Sequence, residues 1–60
     1  MDLNQLRDYA KSCIAKRPEL GDEIANLYEL CMDEIEEGGS PQHEIDLCYR
    51  DINFIFTTRE

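Results

Sequence analysis

The chain has 60 residues, 42% hydrophobic and 33% charged, with a net charge of −8. A chain of this length holds one domain, and a domain this small buries only about 60% of the surface that its unfolded chain exposes, which leaves little room for a core plus a deep catalytic pocket. The charge disfavours direct binding to nucleic acid or to an anionic membrane, because like charges repel.

The first predicted helix covers about residues 2–17. Leu3, Leu6, Ala10, Cys13 and Ile14 recur at steps of three and four and so share one helical stripe. Asp2 is placed to cap the N-terminus, with Gln5 three residues on as in a capping box. Lys16 and Arg17 stand at the end that favours cations, and Pro18 cannot continue the helix. Nothing in "MDLNQLRDYAK" resembles a signal peptide, and nowhere do about 18 apolar residues run together.

The second predicted helix covers about 19–37. Leu20, Ile24, Leu27, Tyr28, Cys31 and Ile35 fall within about 100° of arc, flanked by Leu30 and Met32. Gly21 is a weak point, marking either a bend or a start at Asp22 after a short turn. Residues 18–49 hold ten acids and no Lys or Arg. Asp22, Glu29, Asp33, Glu36 and Glu37 lie on the face opposite the apolar stripe, an acidic surface suited to an Arg- or Lys-rich partner.

The joint that follows, "DEIEEGGSPQHE", has an acid, a glycine and an acid at the first, sixth and twelfth places, as a calcium loop does. The third place is Ile35, which supplies no oxygen ligand and belongs to the apolar stripe. The stretch therefore reads as a stop at Gly38, a turn, and a start at Ser40-Pro41.

The third predicted helix covers about 41–56, with Ile45, Cys48, Tyr49, Ile52, Ile55 and Phe56 facing inward. Its end is ambiguous, because "INFIFTT" is rich in β-branched and aromatic residues and can also fray or extend. Leu47 and Phe54, seven residues apart, fall on the face opposite the stripe. Two large apolar side chains there, with Arg50 and Asp51 beside them, suggest a contact surface.

Short connections make sequential helices antiparallel, so the expected fold is all-α, a compact three-helix bundle forming a single domain over 1–60. The three cysteines lie on inward stripes without C-x-x-C spacing and read as core residues. Their odd number fits a cytoplasmic protein with reduced thiols. No metal, cofactor or catalytic set is expected; His43, the single histidine, has no nucleophile or second acid–base group in a recognisable motif.

Two functional expectations compete. In the first, the chain is a non-enzymatic protein-interaction module, using Leu47, Phe54, Arg50 and Asp51 to bind a partner protein or a second copy. In the second, the acidic face imitates nucleic acid and blocks the basic groove of a nucleic-acid-binding protein.

Overall fold

The computed structural model describes residues 1–58. Three α-helices pack around one core: α1 (Leu3–Lys16), α2 (Gly21–Glu36) and α3 (Pro41–Thr58), with a 3₁₀ turn at Pro18–Leu20. The described residues contain no strand.

The local signals explain the boundaries. Asp2 Oδ1 accepts the Gln5 N–H at 2.8 Å, and Gln5 Oε1 accepts the Asp2 N–H at 2.9 Å, which completes the capping box of α1. The helix expected over 19–37 instead begins at Gly21. Pro18 has no N–H to donate, and the Leu20 N–H closes a tight turn on the Arg17 carbonyl at 3.0 Å. Gly21 itself is ordinary α-helix, with φ −54° and ψ −46°.

At the other end of α2, Gly38 takes φ 103°, a conformation that an L side chain resists. Its N–H reaches the Ile35 carbonyl at 3.1 Å, and the Gly39 N–H reaches the Glu34 carbonyl at 2.8 Å. This pair of bonds is the Schellman stop. The Ser40 carbonyl accepts the Glu44 N–H at 3.0 Å and so opens α3 with Pro41 as its first residue. The supposed calcium loop is thus the last turn of α2, a glycine stop and the first turn of α3, with Ile35 packed on the core.

α3 runs two residues past its expected end. Thr57 and Thr58 turn their hydroxyls back onto the carbonyls of Asn53 and Phe54 at 2.8 and 2.6 Å, which suits these residues to a final helical turn. The remainder of the ambiguous tail, residues 59–60, lies outside the described residues.

The core consists of Leu6, Ala10, Cys13, Leu20, Ile24, Cys31, Ile45, Cys48, Ile52 and Ile55. Leu6, Ile24 and Ile52, one from each helix, are fully enclosed. Tyr49, expected inward, is partly exposed, and its ring meets that of Tyr9 at 4.7 Å between centroids. Bonds between α1 and α3 rise together along both helices: Met1 with Gln42, Tyr9 with Asn53, Arg17 with Phe56. These two helices therefore run parallel, with α2 antiparallel to both.

Candidate functional site

α2 and α3 share the largest helix–helix interface. Their inward stripes supply Cys31 and Cys48, both buried and neighbours in the α2–α3 interface. The Cys48 thiol also donates to the Leu27 carbonyl at 3.4 Å. Burial, reinforced by the neighbouring Cys31, pushes the Cys48 thiol up to about 12 from its ordinary 9.0. Burial raises Cys31 as well. The third cysteine, Cys13, is buried on α1 beside Tyr9. All three are free thiols.

Above this thiol pair the two helices leave an open groove of about 130 Å³. Its lining is Leu27, Leu30, Cys31 and Glu34 from α2, and Glu44, Leu47, Cys48 and Asp51 from α3. The lining thus combines three leucines and two buried thiols with three carboxylates. Among the described residues none of the three forms an ion pair, and the described ion pair elsewhere is Arg17 with Glu19 at 3.2 Å.

This arrangement revises the position of Leu47. It does not stand on the far side of α3 but on the shoulder that approaches α2, where Cys48 and Asp51 join it in the groove. Phe54 does not line the groove and is 63% exposed. It nonetheless lies within about 20° of Leu47 around α3, so it continues the same line of surface about two turns further on. Arg50 is exposed and outside the groove, whereas Asp51 is part of its rim.

The groove contains residues that single-helix reasoning passes over. Leu30 is 58% exposed and lines the groove from α2. Its signal in the sequence is a large apolar residue just outside the buried arc. Glu34 and Glu44 become neighbours of one groove only through the antiparallel packing of the two helices.

The acidic face of α2 stands apart. Asp22, Glu29, Asp33, Glu36 and Glu37 are all exposed, and Asp22 to Glu36 spans about 21 Å of helix. His43 is exposed in the first turn of α3. Among the described residues, no three His, Cys, Asp or Glu side chains are grouped to hold a metal ion, and no helix is long and apolar enough to cross a membrane.

Comparison with known proteins gives no match to this chain, whether against family models, curated proteins or solved structures.

Proposed function

We propose that the chain is a small, non-enzymatic protein-interaction module of the cytoplasm, which acts by binding or occupying a partner protein through the α2–α3 face. The observation that carries this reading is the exposed apolar line of Leu30, Leu47 and Phe54 beside an open groove. Large apolar side chains that border one another across a groove are the usual anchors of helical recognition. The groove volume of about 130 Å³ lies well below the roughly 300–1,000 Å³ of small-molecule sites. That size favours a side chain of a partner over a free metabolite.

The test is capture of binding proteins from the native host's lysate by the wild type and by a Leu47→Asp/Phe54→Asp variant whose helicity is checked by circular dichroism. A partner retained by the wild type through a high-salt wash and lost by the variant is expected. A folded variant that keeps every partner contradicts the proposal.

A second reading rests on a different observation, the four exposed acids Asp22, Glu29, Asp33 and Glu36 along about 21 Å of α2, with Glu37 just past its end. In this reading the face imitates a phosphate row and occupies a nucleic-acid-binding protein. Binding is then steeply salt-dependent and displaced by added DNA or RNA. Binding that survives neutralising Glu29, Asp33, Glu36 and Glu37 rules this reading out.

A further inference from the structure

The occupant of the α2–α3 groove can be specified further, on the reading that this face is a contact surface. We infer that it is an amphipathic helix of a partner protein, with a Leu-sized side chain seated between Leu30 and Leu47 and Lys or Arg residues one turn to either side.

Three observations define that chemistry. The first is size: the groove of about 130 Å³ is close to the apolar cavity of roughly 150 Å³ that accepts one benzene-sized group. It therefore takes a single apolar side chain. The second is charge. Glu34, Glu44 and Asp51 come from two helices and line the groove together with its apolar side chains, without an ion pair among the described residues. Cations flanking the apolar anchor complement those carboxylates and fix the orientation of the helix. The third is length. Phe54 lies on the Leu47 line, about 10.5 Å along α3. A helix laid along α3 presents residues at i and i+7 to both positions.

The same charge argues against a second copy of this chain as the occupant. A two-fold dimer through this face places each rim against its own image. Carboxylates would then meet carboxylates on a molecule of net charge −8.

The experiment uses the isotope-labelled full chain and three synthetic helical peptides, read by backbone amide shifts in NMR. The first peptide carries Leu at two positions seven apart with Lys one turn on either side of each. The second replaces its Lys residues by Glu, and the third replaces its Leu residues by Ala. The first peptide is expected to shift the amides of Leu27–Glu34 and Glu44–Phe54, to bind at least about tenfold tighter than either control, and to weaken as salt screens the rim. Leu30→Asp/Leu47→Asp should abolish those shifts, and Glu34→Gln/Glu44→Gln/Asp51→Asn should weaken binding severalfold while the fold is kept.

Equal binding of the Glu peptide in the groove overturns the basic occupant but leaves the face as a contact surface. Equal binding of the Ala peptide overturns the seated anchor. Groove shifts that grow with the protein's own concentration assign the site to a second copy and overturn the inference. Silence of the groove toward all three peptides overturns the inference, while the reading beneath it falls only if the folded Leu47→Asp/Phe54→Asp variant keeps every partner.

Discussion

Arg17 connects three parts of the chain. It ends α1, pairs with Glu19 in the 3₁₀ turn at 3.2 Å, and donates from Nη1 to the Phe56 carbonyl at 2.6 Å. That carbonyl lies in the last turn of α3, where a cation is favoured, and the guanidinium also sits 5.8 Å from the Phe56 ring. Arg17→Ala should cost roughly 1.5 kcal/mol, the low end for a hydrogen bond with a charged partner because the site is only part-buried. A urea-unfolding midpoint unchanged from wild type would contradict this role. Cys48 and Tyr9 give the residue scale a pH signature. Burial raises both groups to about 12, from ordinary values of 9.0 and 10.0 respectively, with contact from Cys31 and Cys13 adding to the two shifts. The folded chain therefore keeps protons that the unfolded chain has released, so stability falls as pH rises. Their contribution is constant below about pH 9 and declines from there to about 12. The expected result is a lower urea midpoint at pH 11 than at pH 8, with a smaller drop in Cys48→Ala. Equal drops in the two proteins would contradict the Cys48 assignment.

At the scale of elements, the link between α2 and α3 depends on two adjacent glycines for different reasons. Gly38 holds φ 103°, so Gly38→Ala should cost about 1–2 kcal/mol through the left-handed backbone alone. At Gly39 the obstacle is contact, because a Cβ would stand 2.8 Å from the Glu34 carbonyl that its own N–H uses. Thermal unfolding of Gly38→Ala with no loss would show that the turn tolerates another stop. These local signals were legible in the residues: Asp2 with Gln5, Gly38 after Ile35, Ser40 before Pro41. Each acts within one turn of backbone, so spacing along the chain determines it. The 3₁₀ turn was half legible, since Pro18 and Gly21 marked an irregularity without deciding its geometry. The groove was less legible. Periodicity places Leu30 and Leu47 on their own helices, but which shoulders meet depends on how closely and at what angle the helices approach.

At the scale of the molecule, one small core supports the whole bundle, 34 × 16 × 15 Å across. Ile24 is fully enclosed at its centre, and Ile24→Ala should remove about 2–5 kcal/mol. That is a large share of the roughly 5–15 kcal/mol that an ordinary domain possesses, so the variant should be substantially unfolded at 37 °C by circular dichroism. A well-folded variant would mean that the helices hold together through something other than this core. Phe54→Asp should behave oppositely, staying within about 0.5 kcal/mol of wild type because this side chain is 63% exposed and lies outside the groove. The contrast separates residues that hold the fold from residues free to meet a partner.

The most direct measurement is site-specific photo-crosslinking in the native host, with the photoreactive residue at Leu47 in one protein and at Lys11, exposed on α1, in another. A discrete crosslinked partner from position 47 and none from position 11 is expected if the α2–α3 face is the working surface. The same partner from both positions, or from position 11 alone, would contradict that assignment.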